Sequence, residues 1–259
     1  MDGELCTVGG GVMRLEIILF LLLPLVALCQ APPTDSFYSN PDYDLLLGWS
    51  PIAGNSKDYS SYNRTMSMSV TNADSPTWYS HGTVASYYWS ADATDQYLIS
   101  SWSAIPKTNA ITILLWFNKT VITGNHSLLA SRSSPVGPTW AIHMYILGNP
   151  QYSVIAELDV DDTYTGTYAP GTVLTADSTS LAVLTYDTAV IRVYQYSGAT
   201  PDLAITDNNT AGYLWGFGSS AMFIGGNDEG TWTFNNLHVF EARIYNRVLS
   251  ELEIANEWE

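Results

Sequence analysis

Ala221-Met222-Phe223-Ile224-Gly225-Gly226-Asn227-Asp228-Glu229 leads through Trp232 and Phe234 into Val239-Phe240-Glu241-Ala242-Arg243-Ile244-Tyr245-Asn246-Arg247-Val248-Leu249-Ser250-Glu251-Leu252-Glu253-Ile254. A short apolar strand ends in a Gly-Gly turn, and an alternating strand follows. Ser250 and Glu253 then have the spacing of a capping box, in which each side chain satisfies the other's backbone N–H and a helix opens. The two-residue period of a strand predicts Phe240, Ala242 and Ile244 on one face and Val239, Glu241, Arg243 and Tyr245 on the other. The expected ending is therefore a half-buried strand followed by a helical plug that carries Leu252 and Trp258.

Upstream segments read in the same way. Leu45-Leu46-Leu47-Gly48-Trp49-Ser50-Pro51 is an opening strand, followed by the turn Asp58-Tyr59-Ser60-Ser61-Tyr62-Asn63. Ser90-Ala91-Asp92-Ala93-Thr94-Asp95-Gln96-Tyr97-Leu98 reads as a polar hairpin, and Ile111 to Asn118 as an apolar strand around Trp116, a core residue. Leu181 to Asp187 and Ile191 to Tyr194 form a central pair. In this order, the segments and the C-terminal run resemble the laminin G-like branch of the concanavalin A-like lectin/glucanase superfamily. That family's closing signature reads roughly Ile-Asp-Glu-Val-Arg-Ile-Tyr-Asn-Arg before Ala-Leu-Ser-x-x-Glu-Ile. The resemblance implies an all-β fold, a two-sheet antiparallel β-sandwich of the jelly-roll type. Two departures stand out. Phe240 occupies the place of an acid, which removes whatever polar contact the family makes there. Asn235-Asn236-Leu237-His238 replaces a Gly-containing turn, and Asn tolerates the left-handed backbone such a turn needs.

Independently of the resemblance, short strands separated by Gly, Asn, Asp and Ser clusters read as a β-sandwich, with the best strands at 111–117, 127–131, 140–147, 152–160, 181–186, 190–196, 221–224 and 237–245. No second domain, heptad series or internal repeat is evident. At the N-terminus, Arg14 precedes an apolar run from Ile17 to Leu28, too short for a spanning helix of roughly 20 residues and suited to a secretory signal. The expected organisation is a signal peptide over 1–29, with Met13 as an alternative start, an extended lead-in over 30–42 and the sandwich over 43–259. Cleavage would remove both cysteines, Cys6 and Cys29, leaving no disulfide, no thiolate nucleophile and no Cys-based zinc site. The sequons at Asn63, Asn118, Asn125 and Asn208 agree with export. A net charge of −16 argues against nucleic acid and anionic lipid as partners, and no stable membrane insertion is expected after signal cleavage.

Three sets of residues carry candidate chemistry. In Glu157-Leu158-Asp159-Val160-Asp161-Asp162, strand alternation places Glu157, Asp159 and Asp161 on one face. Laminarinase and lichenase-type glycoside hydrolases of this fold place a Glu-x-Asp-x-Glu or Glu-x-Asp-x-x-Glu run on such a face. Here Asp161 or Asp162 stands where the last glutamate would be, a shorter arm for a mechanism that needs two carboxyls about 5–5.5 Å apart. The run therefore reads as an acidic face rather than a catalytic set. Asn227, Asp228 and Glu229 follow a strand-ending Gly, where relatives such as the pentraxins hold calcium. Their hard oxygens suit that ion, but three side chains are too few for six to eight ligands. Asp92 or Asp95 would have to fold nearby. Trp78, Tyr79, Trp215 and Trp232 lie in loop-like stretches and are the candidates for stacking on sugar rings. His81, His126, His143 and His238 show no metal spacing.

The sequence thus reads as a secreted, non-catalytic binding module, with a carbohydrate or an extracellular protein as partner. A glycoside hydrolase using Glu157 and Asp159 is the alternative of a different class. A structural component of an extracellular coat is the third.

Overall fold

The computed structural model describes residues 45–49, 58–60, 66–68, 77–81, 84–89, 98–100, 108–120, 124–132, 140–148, 153–160, 163–168, 173–197, 201–207, 222–225 and 236–258. The expected signal peptide and lead-in lie outside them. Fifteen strands and one helix are present among these residues: β1 (Leu45–Trp49), β2 (Met66–Met68), β3 (Thr77–His81), β4 (Val84–Trp89), β5 (Leu98–Ser100), β6 (Ala110–Lys119), β7 (His126–Arg132), β8 (Trp140–Leu147), β9 (Ser153–Val160), β10 (Thr163–Tyr168), β11 (Thr179–Asp187), β12 (Val190–Tyr196), β13 (Pro201–Asp207), β14 (Met222–Ile224), β15 (Leu237–Tyr245) and α1 (Glu251–Trp258). They form two antiparallel sheets. Sheet A runs β13-β12-β11-β6-β15-β4-β3, with β1 also paired to β15, and sheet B runs β10-β9-β8-β7-β14-β5-β2.

Alternation along the strands builds the core between the sheets. Ile111, Ile113, Leu115 and Phe117 of β6 meet Ile142, Met144 and Ile146 of β8 and Val154, Ala156 and Leu158 of β9 there. The opposite face of β6 is apolar as well. Leu114 and Trp116 join Leu181, Val183, Tyr194, Tyr196, Tyr245, Leu249 and Ile254 in a second core on the outside of sheet A. That core is roofed by α1, with Trp258 against Tyr196 at a ring separation of 5.6 Å. The near-continuous apolar run of β6 is what a strand buried on both faces requires.

One β-bulge sets the phase of β15. Val239 faces Phe117 and Glu241 faces Trp116, so Phe240 is an extra residue in the ladder. Val239 therefore shares the inner face with Ala242 and Ile244, while Phe240 packs against the outer core. This reverses the expected placement of Val239 and Phe240, because a strict two-residue period cannot anticipate an inserted residue. The helix also corrects an expectation. Leu252 is 72% exposed, and Ile254 at 0% and Trp258 make the contact instead. The capping box forms as read, with the Ser250 N–H donating to Glu253 Oε2 at 2.8 Å and the Glu253 N–H to Ser250 Oγ at 3.3 Å.

Polar groups fix the remaining joints. β1 pairs with β15 from Leu45↔Tyr245 to Trp49↔Ala242, so the first and last described strands are neighbours. The buried Asp58 carboxylate accepts N–H groups from Gly48 at 3.0 Å and Ser60 at 2.8 Å, and the Ser60 hydroxyl at 2.7 Å. It thereby ties the turn to β1. Asn236 adopts φ 58°, the left-handed backbone expected of that turn, and its carbonyl accepts the Thr120 N–H at 3.0 Å. Where β10 stops at Tyr168, the Val154 N–H is satisfied by Gln195 Oε1 of β12 at 2.9 Å, joining one sheet to the other.

Two measurements check this packing. Ile254→Ala should lower the unfolding free energy by about 2–4 kcal/mol in urea titrations, while Leu252→Ala should change it by less than about 0.5 kcal/mol. Equal losses would contradict the helix orientation. Lys119 ends β6 at 2% exposure, and burial lowers its ammonium from the ordinary 10.5 to about 8. The unfolded chain then binds more protons between these values, so this residue's contribution makes stability rise with pH from about 8 to 10.5. The stability of Lys119→Met relative to the wild type should therefore fall by on the order of 3 kcal/mol between pH 7 and pH 10.5. A constant gap across that window would contradict the buried charge.

Candidate functional site

The two sheet faces that look away from the inter-sheet core differ. The outside of sheet A is occupied by α1 and its apolar contacts. Beneath the helix lies a buried ionic cluster. Arg243 Nε donates to Glu241 Oε1 at 2.5 Å, Arg243 Nη1 pairs with Glu257, and the guanidinium lies 4.9 Å over the Trp116 ring. Tyr245 donates to Glu257 Oε1 at 3.0 Å. Burial raises the Glu241 carboxyl above its ordinary value, against the pull of Arg243. Burial also opposes the Arg243 charge, but Glu241 and Glu257 more than reverse that and hold its pKa above the ordinary value. Such a cluster is structural, since each charge is committed to a partner within the fold.

The outside of sheet B carries a different set. Pairing aligns a row straight across the sheet: Ser67, Ile99, Phe223, Ala130, His143, Glu157 and Gly166. Each sits one residue out of phase with the inward Met222, Ile142, Met144, Ala156 and Leu158, as the pleat demands. Tyr145 stands in the next row, in register with Ile155. Its hydroxyl donates to Glu157 Oε1 at 2.7 Å, and His143 Nδ1 lies 3.7 Å from Glu157 Oε2. The His143 and Tyr145 rings are 4.7 Å apart. His143 and Tyr145 are buried at 2% and 6%, whereas the Glu157 side chain keeps 17% of its surface accessible. Gly166, across the last ladder, has no side chain to stand beside it.

This arrangement can hold a polar ligand. The carboxylate is fixed by a phenol on one oxygen and flanked by an imidazole on the other, and an oriented carboxylate is a strong acceptor for neighbouring hydroxyls. Among the described residues, no group of three or more His, Cys, Asp or Glu could hold a metal ion.

The sequence-derived candidates fall in separate places. Asp159 follows Glu157 on β9, in register with Tyr164. The strand ends at Val160, paired with Thr163, so residues 161–162 join β9 to β10. The expected third acid on the strand face, Asp161, and its neighbour Asp162 lie outside the described residues. Trp78 and Tyr79 are not in a loop: both belong to β3, the edge strand of sheet A, where Trp78 is 40% exposed. β3 lies at the edge away from β13, while β9 and β10 pack against β12 and β13, so Trp78 and Glu157 sit toward opposite sides of the sandwich. Trp215, Trp232, Asn227, Asp228, Glu229, Asn63 and Asn208 lie outside the described residues. Leu98 pairs with Ile224 and Trp89 with Leu237. Sequence reasoning missed His143 and Tyr145. The signal for them was the β8–β9 register, which sets His143 opposite Glu157 on the next strand.

A family model described as the concanavalin A-like lectin/glucanases superfamily matches residues 91–255. Among solved structures, domain 4 of AbnA, a GH43 extracellular arabinanase from Geobacillus stearothermophilus in complex with arabinotriose, is similar with a TM-score of 0.59 and 9% identity over 83% of this chain and 98% of that one. The botulinum neurotoxin serotype C1 binding domain is similar with a TM-score of 0.56 and 12% identity over 84% of this chain and 52% of that one. The binding domain of serotype D/C VPI 5993 matches with a TM-score of 0.56 and 12% identity, over 83% and 51%. The chain spans about half the length of these neurotoxin domains. No curated protein matches the sequence. The structural likeness is one of fold, and the family match covers well over half of the sequence, from the β4–β5 connection to α1. The chain belongs to the concanavalin A-like lectin/glucanases superfamily.

Proposed function

We propose that the protein is an exported, non-catalytic carbohydrate-binding module whose ligand lies against the outer face of sheet B at Glu157. The observation that carries this reading is the Tyr145–Glu157–His143 set on the outer side of sheet B: a carboxylate held at 2.7 Å by a phenol, with 17% of the Glu157 side chain accessible between two buried rings. Sugars present arrays of hydroxyls, and an oriented carboxylate is a strong acceptor for them. The AbnA domain of the same fold was solved in complex with arabinotriose, which supports an oligosaccharide as the ligand class. Export rests on the apolar run from Ile17 to Leu28 and on the sequons. Among the described residues, no helix is long and apolar enough to cross a membrane. An extracellular glycoprotein would present the same sugar chemistry.

Glycoside cleavage is the weaker reading. Retention requires two carboxyls about 5–5.5 Å apart across the sugar. Glu157 and Asp159 are two residues apart on one strand, and the described strand ends at Val160.

A glycan array probed with the exported protein, with and without calcium, should yield an oligosaccharide ligand. Calorimetry with that ligand should then show Glu157→Gln weakening binding by roughly 10- to 100-fold, the loss of one charge-assisted hydrogen bond. Trp78→Ala should leave affinity unchanged, and wild type should leave laminarin and mixed-linkage glucan uncut. Release of reducing ends that disappears in Glu157→Gln would establish the hydrolase instead, and silence across the array would overturn the carbohydrate reading.

A further inference from the structure

Two sequons, Asn118-Lys119-Thr120 and Asn125-His126-Ser127, fall within the described residues, and their surroundings are opposite. Asn118 is near the end of the central strand β6, laddered on one side to Thr179 and on the other to His238. By the pleat it shares the outer face of sheet A with Leu114 and Trp116, and its Oδ1 is buried. Beside it, His238 accepts or donates a 2.9 Å hydrogen bond with Ser86 and stacks on Phe240 at 6.4 Å. Asn118 is only partly exposed, and an oligosaccharide on this amide would have to leave the outer face of sheet A between two laddered neighbours.

Asn125 precedes β7 and is exposed. Its Oδ1 accepts the Gly148 N–H at 2.8 Å. The two chain segments are pressed together there. A Cβ on Gly148 would come within 2.7 Å of the Gly124 carbonyl carbon, and Gly124 itself has φ +76°. This close approach fixes the amide plane with its oxygen directed at Gly148. The planar amide then directs Nδ2 away from that bond. N-linkage uses Nδ2 alone and leaves the carbonyl oxygen an acceptor, so a glycan and the Gly148 hydrogen bond coexist.

We infer that Asn125 is a glycan-bearing residue of the folded protein and that Asn118 is not. The inference rests on the export reading, because it needs an oligosaccharide linked to a lipid pyrophosphate as donor. Asn125 Nδ2 forms a bond to the anomeric carbon of that donor, the anomeric C–O bond breaks, the lipid pyrophosphate leaves, and the amide nitrogen gives up one proton. Transfer to the growing chain reaches both asparagines before folding. A chain modified at Asn118 must seat the glycan on the outer face of sheet A beside His238 and Phe240, which disfavours its folding and depletes it from the folded pool.

The full chain expressed in a secreting eukaryotic cell tests this. Glycopeptide mass spectrometry of the folded protein from the medium should find Asn125 occupied and Asn118 bare. Ser127→Ala removes the sequon but keeps the Asn125 amide and its bond to Gly148. It should remove one glycan without changing the melting temperature by more than a few degrees, whereas Asn118→Gln should leave the glycan count unchanged. Folded, exported protein with bare Asn125 or occupied Asn118 overturns the inference alone. Chain retained in the cytosol with no glycan overturns the export reading and this inference with it.

Discussion

β15 is the strand on which both cores depend. Along one edge it is laddered to β6 throughout. Along the other it takes β4 at Leu237–Val239 and β1 at Ala242–Tyr245. The bulge at Phe240 lets a single strand give Val239, Ala242 and Ile244 to the inter-sheet core while Phe240 and Tyr245 face the helix. A one-residue slip would carry all of these side chains to the wrong face, so the register is specified from both sides at once. The same strand bears Glu241 and Arg243, whose burial is tolerated only because Glu257 and the Trp116 ring complete the set from α1 and β6.

This division of the molecule underlies the proposed ligand face. One sheet face is committed to stability by the helix, and its charges are consumed internally. The other face carries Glu157, whose partners Tyr145 and His143 come from the neighbouring strand by register rather than by sequence proximity. Its polar groups are oriented before a ligand arrives, which reduces the ordering required on binding.

Most of the central architecture was legible in the sequence. β6, β8, β9, β11, β12 and β15 are long, apolar on one or both faces, and bounded by Gly, Asn or Asp, and their limits were read to within a few residues. β2, β3, β4, β10 and β13 were not read, and all but β4 are edge strands. Thr163-Tyr164-Thr165-Gly166-Thr167-Tyr168 is polar and contains a glycine, as an edge without a full complement of neighbours allows, and so gives no apolar period. The resemblance to the superfamily supplied the ordering of the segments and was correct. The site was less legible. Glu157 was singled out for its acidic neighbours, yet what distinguishes it is a cross-strand phenol and imidazole. Trp78 looked like a loop residue because β3 is short and carries no alternation that a period could detect.

The central claim is that the outer face of sheet B is the ligand face. Backbone amide shifts of isotope-labelled protein, recorded while adding the oligosaccharide selected on the array, test it most directly. The account predicts saturable shifts at Ala130, His143, Tyr145, Glu157 and Gly166, with Leu114, Trp116 and Ile254 unmoved. Shifts centred on Trp78 or on the helix face, with the Glu157 row silent, would contradict it.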